Sequence, residues 1–204
     1  RRMTSIVGSV QTFGRRSAED LAGPIDLKAA IERVIDMLEP QLESAKVTLS
    51  CEFADENAEL YGVATQLESV FHNLIKNSLD AFQSRVTRDK KRIRIQLGKD
   101  PYGVNVIYSD NAGGMPPEVA RKIFDPFFTT KSRNEGTGLV MSIVHGIVKS
   151  LRGQISVSSV PGTGSTFELR FPLGAVQLEP GRPRILVVDD EPEICELLAD
   201  LLSS

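Results

Sequence analysis

The segment QLESVFHNLIKNSLDAF, residues 66–82, restricts the fold more than any other part of the chain. Laid out at about 100° per residue, Leu67, Val70, Phe71, Leu74, Ile75 and Phe82 fall on one arc, the pattern of a helix packed on a core. Asn73, Asn77 and Asp80 form a separate stripe at the edge of that arc. Asparagine suits a helix interior poorly, because its short amide competes for backbone hydrogen bonds. Two of them one turn apart beside a core need a reason. A carboxamide oxygen can ligate a hard cation without adding charge, and Mg²⁺ takes one or two protein oxygens together with phosphates and waters. The bland reading of the same stripe is a polar helix flank.

Around this helix, expected over 64–84, the pattern is α+β. A helix is predicted over 26–45, with Leu27, Ile31, Val34, Ile35, Leu38 and Leu42 on one face and Pro40 expected to bend it. Period-two alternation predicts strands at 47–53, 92–97 and 103–109, the last two joined by the turn KDPYG. A short helix near 117–124, an irregular stretch over 125–136 and a helix near 138–151 follow. Segments 153–159 and 165–171 close as a hairpin over PGTG. The expected fold is a two-layer α/β sandwich: a mixed sheet with helices on one face.

Composition removes several classes. Two cysteines, Cys51 and Cys195, cannot make a disulfide scaffold, and they suit a reducing, cytoplasmic setting. A net charge of −3 provides no electrostatic case for nucleic acid. No apolar run approaches the roughly 18 residues of a membrane span, so no direct membrane insertion is expected. The opening RRMTSIVGSVQTFGRR lacks the continuous apolar core of a signal peptide.

Three loops add polar chemistry. In YSDNAGGMPPE, residues 108–118, a strand ends at Asp110 and a flexible Ala-Gly-Gly follows. A carboxylate there can accept from an exocyclic amine such as that of adenine, and glycine lets backbone approach a ring; alone, a plain turn explains it as well. In EGTGLVMSIVHGIVKSL, residues 135–151, Gly136-Thr137-Gly138 leads into a helix whose free N–H groups suit phosphate. That signal is weak by itself. PGTGSTFELRF, residues 161–171, reads as a hairpin turn.

The ends carry their own signals. Met3, Ile6, Val7, Val10 and Phe13 form a narrow seam. It suits either a partner helix or an ordinary amphipathic helix. Residues 174–183 read as a linker. RILVV, residues 184–188, reads as a buried strand followed by Asp189, Asp190 and a helical pattern. One strand and one helix cannot form a core, so 184–204 is expected to begin a second domain.

Taken in order, these segments resemble the ATP-binding catalytic domain of bacterial histidine kinases, within the GHKL family and its Bergerat fold. HNLIKNSLDA (72–81) resembles the N box, and DNAGGM (110–115) the first glycine box. IFDPFFTTK (123–131) resembles the F box, GTGLVMS (136–142) the second glycine box and GTGSTF (162–167) the third. The likeness covers about 21–173. Residues 1–20 resemble the end of a dimerisation and phosphoacceptor hairpin, and RILVVDDEPEI (184–194) the start of a receiver domain. The whole resembles part of a hybrid sensor kinase.

The resemblance implies ATP and Mg²⁺ as cofactors. It makes Asn77 the main Mg²⁺ ligand, with Asn73 beside it and Asp80 in the ATP-binding stripe. Asp110 would hold the adenine amino group, Gly114 would keep the ring pocket open and Thr166 would line the adenine side. Lys131 would be a cation at the lid base, with Gly136, Thr137, Gly138 and Leu139 at a phosphate-facing hinge. The lid, about 125–137, should be the least ordered internal segment. The implied reaction passes the γ-phosphoryl group of ATP to a histidine upstream of Arg1, on the kinase's own hairpin in a homodimer. A receiver domain or response regulator is the implied downstream partner, and Asp189 and Asp190 would be the receiver's acidic pair. His72 and His145 are expected to be packing or surface residues.

Two departures matter. The second glycine box usually reads GTGLGLS, whereas Val140 and Met141 stand here. A β-branched residue at the helix start narrows backbone freedom and adds bulk near the phosphates. A degenerate docking or regulatory module is therefore one alternative. A clamp ATPase is another, disfavoured because such proteins carry a glutamate base where Asn73 stands.

Overall fold

The computed structural model describes residues 22–54, 58–84, 89–131 and 137–172. The expected segments 1–20, 174–183 and 184–204 lie outside the described residues, as do residues 132–136 of the expected lid. The chain enters through β1 (Gly23–Asp26) and α1 (Leu27–Ser44). Then come β2 (Val47–Phe53), β3 (Glu59–Gly62), α2 (Ala64–Gln83), β4 (Lys91–Asp100) and β5 (Gly103–Asp110). A one-turn α3 (Pro117–Ala120), α4 (Val140–Ser150), β6 (Gln154–Val160) and β7 (Gly164–Pro172) complete it.

Five strands form one sheet in the order β2-β4-β5-β7-β6. β2 and β4 run parallel because a helix-containing crossover separates them; every other pair is antiparallel. The sheet is mixed, as expected. Its inner face carries Ile93, Ile95 and Leu97 of β4, Val104, Val106 and Tyr108 of β5, and Phe167, Leu169 and Phe171 of β7. The buried arcs of α1, α2 and α4 cover that face. On the other face lie Thr48, Ser50, Glu52, Arg92 and Arg94, all exposed to solvent.

Local chemistry explains the element limits. Asp26 caps α1, its Oδ1 accepting from the Ala29 N–H at 3.0 Å. Pro40 lies inside α1, and the helix runs through it to Ser44. Gly138 has φ +67, so the helix expected from 138 begins two residues later, at Val140. Gly162, φ +87, turns the β6–β7 hairpin, with Thr163 N–H on the Val160 carbonyl at 3.0 Å. The sequence pattern missed β1 and β3, which pair antiparallel as a separate two-stranded sheet. Four residues each are too few for alternation to show.

Phe71 is fully buried where α2 meets the core. Phe71→Ala should lower the unfolding free energy by about 3–5 kcal/mol, read from urea unfolding midpoints. A cost near zero would mean that α2 is not packed as described.

Candidate nucleotide site

Every apolar residue of the arc read from 66–82 is at most 1 % exposed, which turns the neighbouring polar stripe towards the rim of α2. One more residue of that arc is polar. Ser78 is buried, and its hydroxyl donates to Asp110 Oδ2 at 2.8 Å. The Tyr108 hydroxyl lies 2.7 Å from Ser78 Oγ and 3.2 Å from the Leu74 carbonyl oxygen. Ser78 has one hydroxyl proton and commits it to the carboxylate, so Tyr108 is the donor in their contact, its single proton shared between Ser78 Oγ and the Leu74 carbonyl oxygen. A chain of donors thus runs from Tyr108 through Ser78 into Asp110 and ties the end of β5 to α2.

Asp110 is further held by the Ala112 N–H, which donates to Oδ1 at 2.8 Å. Burial pushes the Asp110 carboxyl above its ordinary value of 3.8. Hydrogen bonds from Ala112, Ser78 and Ser165 offset this only in part. Burial likewise raises the Tyr108 phenol well above its usual range, so it stays protonated and able to donate.

Asn77 and Met141 meet across the gap between α2 and α4: Asn77 Nδ2 donates to Met141 Sδ at 3.0 Å. The amide nitrogen is used in this contact, and Oδ1 is the atom left to ligate a cation. Asn73 bonds within its own helix, Nδ2 donating to Ser69 Oγ at 3.3 Å. Asp80 accepts from Lys131 Nζ at 2.7 Å and has Lys76 Nζ at 3.9 Å. These pairs are exposed and add little stability, but the first brings the lid base to the rim of α2.

Three glycines set the walls. A Cβ on Gly164 would lie 1.9 Å from the Asp110 carbonyl oxygen, so β7 can approach the loop only with glycine there. Gly114 has φ +64, and a Cβ would sit 2.1 Å from the Val160 carbonyl oxygen. The missing side chain of Gly114 makes room for the hairpin backbone. On Gly138 a Cβ would fall 2.4 Å from the Phe127 carbonyl carbon, which brings the loop after α3 against the start of α4.

Thr166 is not on the site's face. It pairs with Ser109 and Ser158, whereas the inward positions of β7 are Ser165, Phe167, Leu169 and Phe171. Ser165, buried and directly opposite Asp110, takes the place expected of Thr166. Thr137 Oγ1 accepts from the Leu139 N–H at 3.4 Å, and Leu139 is the N-cap of α4 with no side-chain cap bond. Gly136, Asp189 and Asp190 lie outside the described residues. His145 stacks on Phe124 at 5.5 Å between ring centres, a packing contact.

Sequence reasoning passed over Ser78, Tyr108, Ser165 and the pairing of Met141 with Asn77. For Ser78 a signal existed: a hydroxyl at a core-arc position of an otherwise apolar helix face.

This geometry has close parallels in solved proteins. The nucleotide-free catalytic domain of histidine kinase ThkA superposes with a TM-score of 0.64 at 25 % identity, covering 74 % of this chain and 97 % of that one. A mycobacterial sensor histidine kinase, MprB, shares the fold with a TM-score of 0.63 at 18 % identity, covering 74 % and 97 % of the two chains. The fold is therefore the α+β fold of histidine-kinase catalytic domains. By its sequence the chain belongs to the histidine kinase-, DNA gyrase B- and HSP90-like ATPase family, whose model matches residues 62–175. It is 33 % identical over 176 residues to the two-component sensor PprA of Pseudomonas aeruginosa, covering 85 % of this chain and 19 % of PprA. Sporulation kinase A of Bacillus subtilis is 32 % identical over 148 residues, covering 72 % and 23 %. The chain thus spans about a fifth of the length of these relatives. Among the described residues no helix is long and apolar enough to cross a membrane.

The folded chain binds the Asp110 proton more tightly than the unfolded chain does. The contribution of Asp110 to stability is therefore greatest below about pH 3.8 and is lost as pH rises through the raised folded value. Asp110→Asn removes this dependence. Its urea midpoint should gain on that of the parent chain as pH is raised across that window. A gap that does not vary with pH would show that Asp110 is not buried as described.

Proposed function

We propose that this domain binds ATP with Mg²⁺ and donates the γ-phosphoryl group to a histidine on the phosphoacceptor hairpin of the same kinase, within a two-component signalling pathway. The observation that carries the reading is the Asp110 carboxylate, anchored by Ser78 and the Ala112 N–H at the end of β5 beside the asparagine stripe of α2. An anchored acceptor of this kind suits the exocyclic amino group of adenine, and Ser165, opposite Asp110 in register, would line the same site.

The donor set fits the implied cation. Among the described residues there is no cluster of three or more His, Cys, Asp or Glu that could enclose a metal. Carboxamide oxygen combined with nucleotide phosphates and water is a normal environment for Mg²⁺. Asn77 would hold the ion, with Asn73 beside it, and bound Mg²⁺ would neutralise charge on the phosphates. Lys131 and the uncapped N–H groups at the start of α4, next to Thr137, Gly138 and Leu139, would face the phosphates. Gly136 and Asp80 complete the proposed ATP-binding set.

In the reaction the bond between the γ-phosphorus and its bridging oxygen breaks, a bond to a histidine nitrogen forms, and ADP leaves. The chain's own residues contribute binding and orientation, the larger part of catalysis in phosphoryl transfer. ThkA has been solved in complex with the response regulator protein TrrA, and full-length ShkA in complex with AMPPNP. Both favour a nucleotide here and a response regulator or receiver domain as the downstream partner. The start of such a receiver, with Asp189 and Asp190 as its acidic pair, is proposed for 184–204. The end of a dimerisation hairpin is proposed for 1–20. The proposed setting is cytoplasmic.

A degenerate docking module is the second reading, favoured by Val140 as the first residue of α4, next to Leu139. A clamp ATPase fits less well, because the Asn73 amide cannot take a proton from water.

Three outcomes are expected. A fluorescent ATP analogue should bind in a Mg²⁺-dependent manner, and Asn77→Ala should weaken it by about tenfold, or about 1.4 kcal/mol. Identical saturation curves would favour docking. Val140→Gly should tighten nucleotide binding; unchanged or weaker binding would show that valine is tolerated there. Mixing the chain with ATP and a separately made phosphoacceptor hairpin of the parent should leave acid-labile phosphate on the hairpin. If nucleotide binds and none appears, the domain is regulatory.

A further inference from the structure

We propose that Met141 is a positioning residue that fixes which end of the Asn77 carboxamide faces the nucleotide cleft; the proposal rests on Asn77 as the cation ligand. The two ends of a carboxamide are nearly alike in shape and opposite in chemistry: one accepts, the other donates two protons. Only the oxygen can ligate a cation. A thioether sulfur carries no proton and can only accept, so its contact with Asn77 at 3.0 Å selects the amide nitrogen. Turned over, the amide would set its oxygen against the sulfur, acceptor against acceptor. Met141 is itself buried, 7 % exposed, on the core side of α4. Packing there restrains a side chain that is otherwise flexible.

The usual residue at this position, by resemblance, is leucine, which has no lone pair and no preference between the two amide ends. Here Met141 distinguishes them, one residue after the unusual Val140. With both orientations equally populated, only half the molecules would present oxygen, and apparent affinity falls by that fraction. Loss of the hydrogen bond also frees the side chain to move.

The test uses the full chain and Met141→Leu, which conserves volume and apolarity. The first measurement is the side-chain amide resonances of Asn77 with neither metal nor nucleotide present. They should move and lose protection from exchange in the variant. The second is fluorescent adenine nucleotide binding, titrated with Mg²⁺ and repeated in chelator. Met141→Leu should weaken the Mg²⁺-dependent part by about two- to fivefold and leave chelator binding unchanged. In an Asn77→Asp background the same substitution should have no effect, because a carboxylate has two equivalent oxygens and no N–H. An equal loss in both backgrounds would reduce Met141 to packing and overturn the proposal. So would unmoved amide resonances, or an unchanged Mg²⁺ titration in the Asn77 chain. If Asn77→Ala leaves the Mg²⁺ dependence intact, the ligand reading itself fails and takes the proposal with it, even where the amide resonances respond to Met141→Leu.

Discussion

The hydrogen bond from Ser78 to Asp110 joins the two layers of this domain through polar side chains set among apolar ones. Elsewhere α2 and the sheet meet through apolar side chains that hold the layers together without fixing their position to a fraction of an ångström. A buried carboxylate is different. Desolvation penalises its charge, and hydrogen bonds must offset that cost. Ser78 and the backbone N–H groups of Ala112 and Ser165 supply them and so fix the end of β5 relative to the asparagine stripe one residue away on α2. The same constraint leaves a directed acceptor at the rim of the core, the physical requirement for recognising a flat heterocycle with an exocyclic amine.

Backbone approach is the second constraint. Gly164 lies against the Asp110 carbonyl, Gly114 against Val160 and Gly138 against Phe127, each closer than a side chain permits. These contacts bring the loop after β5 against the β6–β7 hairpin, and the loop after α3 against the start of α4. Glycines that could each pass for a turn residue are instead places of close backbone approach. The Lys131–Asp80 pair then ties the lid base to α2 through a weak, exposed contact, so it can exchange partners at little energetic cost.

By its sequence the chain belongs to the ATPase family and is similar to sensor kinases, and the nucleotide site at the rim of the core is our proposal. The chain's departures from the usual motif bear on how well such a site would work. Val140 adds a branched side chain at the first position of α4. Met141 adds a sulfur that takes hold of Asn77. Neither changes the fold: Met141 fills a core position that the usual leucine would also fill, and Val140, where glycine is usual, stands as the first, half-buried residue of α4.

Much of the architecture was legible because burial imposes a period. The arc of α2 and the alternation in β2, β4 and β5 are local signals, readable within a dozen residues. β1 and β3 were not legible, since four-residue strands pair only through partners far along the chain. Thr166 and Ser165 show the sharper limit. Both are small hydroxyl residues in one motif, and only the register with β5 decides that Ser165 faces Asp110 while Thr166 faces outward. Asn77 and Met141, 64 positions apart, carry no mark of their contact. The sequence by itself determined the element types, the core and the residue kinds that gather at the cleft, because hydrophobic period and turn chemistry act locally. The tertiary structure alone decided which hydroxyl faces the carboxylate and which way the carboxamide is turned, because those depend on strand parity and on contacts between distant helices.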